Sequence, residues 1–183
     1  MPPDTPEITL TLRDERATGA LAEALAPCVG PGFVLFLSGD LGAGKTAFTR
    51  ALLRALGHTG RVRSPTFTLS ESYNLSNFEL YHFDFYRFSS DEEWREAGFD
   101  EHVGGAAASV IEWPELAGDT LPAPDLRLRL APDDADDASG ADTDAHRRIA
   151  RLGAGTERGH RCLIDLEHRI RQGLIDGVSF RAR

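Results

Sequence analysis

The chain has 183 residues, 41% of them apolar, and a net charge of −9; its length and apolar content predict one domain with a buried core. The sequence contains neither a run of about eighteen apolar residues nor a secretory signal, so we expect no membrane segment and a cytoplasmic protein. Six aspartates within residues 133–144 carry much of the charge and leave only −3 elsewhere, and no strongly basic surface for direct nucleic-acid binding is indicated.

The first third of the chain predicts a strand, a helix, a buried strand and a second helix. Residues 7–12 alternate between apolar and polar side chains, and residues 14–26 have the spacing of an amphipathic helix. Residues 33–38, FVLFLS, form an unbroken apolar run that is typical of a central parallel strand buried on both faces. A helix is expected from Lys45 onward, ending near Gly57.

The sequence between that buried strand and its helix, GDLGAGKT, fits the phosphate-loop pattern G-x-x-x-x-G-K-[ST]. Its glycines permit a backbone path on which several N–H groups converge on phosphate oxygens, and the start of the helix adds a positive dipole end. Lys45 is the only lysine among twenty basic residues, and the Thr46 hydroxyl is placed to bind Mg²⁺. The predicted phosphate-binding residues are Asp40, Leu41, Gly42, Ala43, Gly44, Lys45 and Thr46.

The rest of the chain predicts further strands with interspersed helices. Residues 64–88 read as a hairpin that turns at NLSN, followed by a short helix in SSDEEWREAGF that is capped by Ser90 and ends at Gly98. The later elements are strands at 109–113, 125–130 and 149–153 and a helix at 161–174 with a fraying end. We predict an α/β fold with a mixed sheet, parallel at its centre, with antiparallel hairpins at one side and helices around it.

The two cysteines and the acidic stretch receive structural interpretations. Cys28 and Cys162 are far apart in the sequence and lack the spacing of metal ligands, so we expect buried thiols. The acidic stretch is polar and aperiodic, and we interpret residues 133–146 as a solvated loop.

Polar residues near predicted strand ends are candidates for the chemistry. Asp84 lies in the aromatic stretch YHFDFYRF, on one face with His82 and Tyr86. Glu112 stands at the carboxyl end of a buried strand, where ligands bind in open α/β sheets, and a carboxylate there can hold Mg²⁺ opposite Thr46. Thr66 precedes the hairpin, in the position of a switch loop that senses a γ-phosphate. A solvated strand carboxylate remains the alternative for Asp84.

Several classes of protein share a phosphate loop, so the loop alone does not settle function. A guanine-specific GTPase would carry an N-K-x-D motif, which this sequence lacks. Transporter-type ATPases are longer and have a signature loop that is absent here. A small-molecule kinase would need an acceptor pocket with several basic residues, and residues 61–63 supply a few of them. Both a small-molecule kinase and a nucleotide-gated binding module therefore remain alternative functions.

In order and spacing, GDLGAGKT, SPTFTL, YHFDFYRF and VIEWPE resemble the bacterial TsaE family over about residues 33–126. The resemblance implies a single P-loop NTPase-like domain over 1–183 that hydrolyses ATP with Mg²⁺ and has low activity alone. It implies that TsaB and TsaD are the partners, and that together they install threonylcarbamoyl on adenosine 37 of tRNAs reading codons that begin with A, with tRNA contacted only through the complex. The acidic loop and a partly helical C-terminal extension, 159–183, are not explained by the resemblance.

The resemblance also implies roles for particular residues. Lys45 and Thr46 would bind the phosphates and Mg²⁺, Glu112 would be a second magnesium ligand, and Asp84 would be needed for hydrolysis. Thr66 falls in the switch-like segment, and Trp113 matches a tryptophan beside the glutamate. The residues expected to contact the nucleotide outside the loop are Thr11, Thr18 and Arg148.

Overall fold

The computed structural model describes residues 7–133 and 147–181, in which eight strands form one sheet in the order β3-β4-β5-β2-β6-β7-β1-β8. The strands are β1 Glu7–Leu12, β2 Val34–Ser38, β3 Ser70–Asn74, β4 Glu79–Asp84, β5 Ala108–Glu112, β6 Leu126–Pro132, β7 Arg148–Ala154 and β8 Val178–Phe180. The helices are α1 Glu15–Leu25, α2 Lys45–Ala55, α3 Glu93–Glu96 and α4 Glu157–Arg171. None of these helices is long and apolar enough to cross a membrane. Apart from Asp133, the predicted acidic loop lies outside the described residues.

The centre of the sheet is parallel, as predicted, because β4, β5, β2 and β6 run in the same direction. Antiparallel pairs flank this centre on both sides rather than on one: β3 pairs with β4, and β7, β1 and β8 follow β6. The end of the chain, where fraying was expected, instead adds β8 to the edge of the sheet. Val178 is buried and lies opposite Leu12 of β1, so burial of an apolar side chain favours this last strand.

Two clusters of buried side chains cover the sheet. The larger one packs α1, α2 and α4 against one face and includes Leu21, Phe48, Leu52 and Leu166. The smaller one lies on the other face, and its aromatic members include Phe83, Phe85, Phe88 and Trp94. Because β2 contributes to both clusters, its unbroken apolar sequence agrees with its central place in the sheet.

Three local predictions in the middle of the chain are wrong. The hairpin does not begin at residue 64, because its first strand, β3, starts at Ser70. The strand predicted through residue 88 ends at Asp84, because the carboxylate of Asp84 accepts a hydrogen bond from the backbone N–H of Tyr86 at 3.0 Å and turns the chain out of the sheet. Asp84 is therefore the last residue of β4 and does not lie in its middle. Ser90 does not cap α3, because the helix begins at Glu93 with Glu92 as its N-cap; the carboxylate of Glu93 instead accepts from the backbone N–H of Ser89 at 3.1 Å.

The prediction of two buried thiols is also wrong, because Cys28 and Cys162 form a disulfide. Cys28 ends a short 3₁₀ turn after α1, and Cys162 lies on the buried face of α4 beside Leu163 and Leu166. The packing of α4 beside α1 therefore brings together two cysteines that are 134 residues apart in the sequence. The bond ties the N-terminal helical region to the C-terminal helix.

Candidate nucleotide-binding site

The candidate site lies where three parallel strands end. In the sheet register, Glu112 of β5 lies opposite both Asp84 of β4 and Leu37 of β2, so these strands finish at one edge. The phosphate loop follows β2 directly and therefore begins at the same edge. Both carboxylates are buried, with exposed fractions of 4% for Asp84 and 3% for Glu112. The edge thus combines a glycine-rich loop with two buried acids, as expected at the carboxyl ends of parallel strands.

The phosphate loop depends on glycines with left-handed backbone conformations. Gly39 has φ of 136°, and a Cβ there would collide with the carbonyl oxygen of Leu130. Gly44 has φ of 105° and is the N-cap of α2, which begins at Lys45. The N–H groups in the first turn of α2 have no partner within the helix, and together with its positive dipole end they lie at the loop, an arrangement suited to an anion.

Lys45 folds back onto the loop. Its Nζ donates hydrogen bonds to the carbonyl oxygens of Gly39 at 2.6 Å and Asp40 at 3.0 Å, and it lies 4.0 Å from the centroid of the Trp113 ring. Trp113 reaches this place with φ of 57°, an uncommon backbone conformation for a non-glycine residue, directly after β5. Burial lowers the pKa of Lys45 below its usual value, although the carboxylate of Glu112 opposes that shift.

Thr46 and Glu112 meet across the edge of the sheet. The Thr46 hydroxyl donates to Oε1 of Glu112 at 3.1 Å, so the first turn of α2 is linked to the end of β5. The same oxygen lies 2.8 Å from Nε2 of His82, a fully buried residue on β4. A hydroxyl and a carboxylate are hard oxygen donors of the kind that Mg²⁺ prefers. No cluster of three His, Cys, Asp or Glu side chains suited to a metal occurs in residues 7–133 and 147–181, so phosphate and water would have to complete the coordination of such an ion.

Asp84 and Thr66 form a second contact at this edge. The Thr66 hydroxyl donates to Oδ2 of Asp84 at 3.0 Å, and Oδ1 of Asp84 accepts from the Tyr86 backbone. Arg87 holds the same segment, because its Nε donates to the carbonyl oxygen of Thr66 at 2.7 Å and its guanidinium lies over the ring of Phe67. Both oxygens of Asp84 are therefore engaged by the chain itself.

The structure brings one of the three more remote predicted residues to the loop. Arg148 lies against Gly44, since a Cβ on that glycine would be 3.2 Å from Nε of Arg148. Arg148 also lines a cleft of about 230 Å³ with Gly42, Ala43, Pro132 and Arg147. Thr18, by contrast, is buried in α1 with its hydroxyl on the carbonyl oxygen of Asp14, and Thr11 is half-buried on β1 opposite Ile149. Neither threonine hydroxyl is among the groups that hydrogen-bond to the loop in the described residues.

Two polar residues at this edge were not assigned a role from the sequence. In the sequence His82 is only a residue on the same strand face as Asp84, yet in the structure its ring contacts Glu112 on the neighbouring strand. Glu115 accepts a hydrogen bond from the Ser38 hydroxyl at the end of β2 at 3.0 Å. The available signal for His82 was its position two residues before Asp84, which places both side chains on one face of β4.

The site combines a buried parallel strand, a glycine loop, a Lys-Thr pair at the start of a helix, and a strand-end glutamate within hydrogen-bonding distance of that threonine. These features define a P-loop NTPase-like protein. Comparison with known sequences resolves this class further. The sequence model described as "Threonylcarbamoyl adenosine biosynthesis protein TsaE" matches residues 12–140. The chain belongs to the TsaE family and thus to proteins of tRNA threonylcarbamoyladenosine biosynthesis.

Individual relatives agree with this assignment. The "tRNA threonylcarbamoyladenosine biosynthesis protein TsaE" of Rickettsia felis is 41% identical over 122 residues, which cover 66% of this chain and 71% of that protein. The Bacillus subtilis protein of the same name is 42% identical over 111 residues, covering 61% and 69%. The crystal structure of Bacillus subtilis YdiB matches with a TM-score of 0.69 and 29% identity, covering 91% of this chain and 97% of that chain.

Proposed function

We propose that this chain is a Mg²⁺-dependent ATPase required for threonylcarbamoyl modification of adenosine 37 in tRNAs reading ANN codons. In this proposal it works in the cytoplasm with TsaB and TsaD and contacts tRNA only through their complex. The observation that carries the ATPase proposal is the 3.1 Å contact between the Thr46 hydroxyl and the Glu112 carboxylate, beside a glycine loop that contains Lys45. Membership of the TsaE family supports the role in tRNA modification.

Phosphate binding would use groups that the chain presents at the start of α2. Lys45 is held by two loop carbonyls, and a bound β- or γ-phosphate would replace those neutral acceptors with charged oxygens. Arg148, which lies against Gly44, supplies a second cation at the same loop. Thr11 and Thr18 remain proposed adenine contacts. The support for them is their position in the N-terminal strand–helix unit formed by β1 and α1.

Magnesium would be held by Thr46 and Glu112, because the two oxygens lie close together and are of the kind the ion prefers. When bound, the ion neutralises charge on the β- and γ-phosphates. Glu112 is suited to this role because it is buried and already fixed by two donors, from α2 and from β4.

Asp84 would orient the attacking water, and its present contacts lead us to expect a low rate in isolation. Both of its oxygens accept hydrogen bonds from the chain, one from Thr66 and one from Tyr86. For Asp84 to accept a hydrogen bond from water at Oδ2, the Thr66 hydroxyl has to leave, and a γ-phosphate is an acceptor to which that hydroxyl can turn. A protein partner that moves the segment around Thr66 would therefore raise the rate, which is the effect we assign to TsaB and TsaD.

The test is Mg-ATP hydrolysis by the purified chain, alone and with cognate TsaB and TsaD. We expect slow turnover alone, strong stimulation by the pair, and loss of both rates in Thr46→Ala. Thr49→Ala is the matched control, because it removes a hydroxyl of the same helix whose one hydrogen bond among the described residues goes to the Lys45 carbonyl oxygen. Turnover that ignores the pair, or that survives in Thr46→Ala, would contradict the proposal and direct attention to a small-molecule kinase.

A further inference from the structure

His82 is a buried histidine whose ring makes one polar contact in the described residues. Its side chain is fully buried on β4, and Nε2 lies 2.8 Å from Oε1 of Glu112 on the neighbouring strand β5. A carboxylate can only accept, so the short contact places the ring proton on Nε2. The other ring nitrogen, Nδ1, is also buried and has no hydrogen-bond partner within residues 7–133 and 147–181.

Packing alone does not account for this side chain. Leu80 and Val110, its neighbours on the same face of the sheet, are apolar and fully or almost fully buried, and an apolar side chain at position 82 would leave no unpaired nitrogen in the core. The hydrogen bond from Nε2 to Glu112 is the contribution that an apolar residue could not make.

Glu112 is held from two directions through one oxygen. Oε1 accepts from Thr46 on the helix side and from His82 on the strand side, whereas Oε2 accepts no hydrogen bond from the described residues. Two donors fix the rotation of a carboxylate much better than one, because each alone permits the group to turn about the single bond. His82 therefore helps to hold one carboxylate oxygen against Thr46 and leaves the other oxygen for another ligand.

We propose that His82 is a positioning residue for magnesium binding: it holds the Glu112 carboxylate in the orientation that pairs with Thr46. This inference rests on the proposed function, in which Thr46 and Glu112 hold the ion. His82 itself contacts neither the ion nor the nucleotide in this proposal and acts only through Glu112.

The first test needs no nucleotide and reads the parent chain directly, with one variant used only for assignment. Long-range ¹H–¹⁵N spectra of the histidine-labelled full chain report which ring nitrogen carries the proton, with His82→Gln identifying the resonance. We expect a single tautomer of His82 protonated at Nε2. A proton on Nδ1, or rapid exchange between the two tautomers, would overturn the proposal.

The second test measures magnesium dependence. Binding of a fluorescent ATP analogue is followed as Mg²⁺ is added to the parent chain, His82→Leu, His82→Gln and His102→Leu. Loss of a residue that orients a metal ligand typically costs about 10–100-fold in metal affinity, so we expect His82→Leu to need that much more Mg²⁺ for half-maximal binding. His82→Gln, which keeps a donor, and His102→Leu, whose ring stacks on Tyr81 away from Glu112, should stay close to the parent chain.

The outcomes separate this proposal from the proposed function. Equal magnesium dependence of folded His82→Leu and the parent chain would overturn the positioning role, as would a His82→Gln variant that is as impaired as His82→Leu. If the parent chain itself shows no Mg²⁺-dependent binding, the proposed function fails. The tautomer of His82 still reports in that case whether it orients Glu112.

Discussion

Substitution of Gly44 by alanine tests whether the phosphate loop is a binding site or only a structural turn. With φ of 105° at Gly44, a side chain there is strained, and a non-glycine residue in a left-handed conformation costs about 1–2 kcal/mol. The new Cβ would also lie 3.2 Å from Nε of Arg148, closer than ordinary van der Waals contact, so Arg148 or the loop must shift. Gly57 offers a matched control at the other end of α2, because its φ is 92° and a Cβ there meets no atom within 4 Å.

We expect both variants to lose stability by about 1–2 kcal/mol, which corresponds to roughly 2–8 °C in melting temperature for a chain of this size. Only Gly44→Ala should also lose ATP affinity, by about tenfold or more, which corresponds to about 1.4 kcal/mol. Chemical denaturation and titration with a fluorescent ATP analogue measure the two effects separately. Unchanged ATP affinity in folded Gly44→Ala, or an equal loss in Gly57→Ala, would refute the reasoning that places the phosphates at this loop.

Three further predictions concern pH, oxidation state and catalysis. Burial lowers the pKa of Lys45, the only lysine of the chain, so ATP affinity should begin to fall below the usual lysine pKa of 10.5 as pH rises. Constant affinity up to that pH would contradict this. Between the lowered pKa of Lys45 in the folded chain and its ordinary pKa in the unfolded chain, the folded state binds fewer protons than the unfolded state. The contribution of Lys45 to the free energy of unfolding therefore rises with pH between these two values. Reduction of the disulfide between Cys28 and Cys162 should lower the free energy of unfolding by up to about 5 kcal/mol in the chain-entropy model. Urea denaturation with and without reductant measures this change. Free thiols in the denatured, unreduced chain would refute the disulfide. Asp84→Asn should keep ATP binding but lower single-turnover hydrolysis about a hundredfold or more, and an unchanged rate would leave Asp84 a structural residue.

The parts of the fold that the sequence predicted best are those in which one stretch of chain specifies its own structure. The unbroken apolar run of β2 could be placed at the centre of a parallel sheet because both of its faces need burial. The glycine loop and the start of α2 at Lys45 followed from the pattern GDLGAGKT and the helical spacing after it. Strand-end placement of Glu112 followed from the apolar sequence before it and the proline after it.

Where prediction failed, a contact between distant residues or a side-chain hydrogen bond overrode local preference. Aromatic residues favour strands, so β4 was expected to continue, but the Asp84 carboxylate takes the Tyr86 N–H and ends it. No local pattern indicates that Cys28 meets Cys162, because that contact depends on how α4 packs beside α1. The contact of His82 with Glu112 likewise depends on which strands become neighbours in the sheet.

Three pairs of groups at the site bond to one another within the chain, and under the proposed function this bears on the expected rate of hydrolysis. Lys45 bonds to loop carbonyls, Thr46 to Glu112, and Thr66 to Asp84. A nucleotide that engages Lys45 and Thr66 must exchange these internal bonds for its own, and each such exchange changes the free energy by only about 1 kcal/mol. In the proposed function, ATP can therefore bind while the Thr66–Asp84 bond persists in much of the population, and in that state the attacking water would lack its acceptor. A partner that separates Thr66 from Asp84 would raise the rate of hydrolysis without adding any residue to the site.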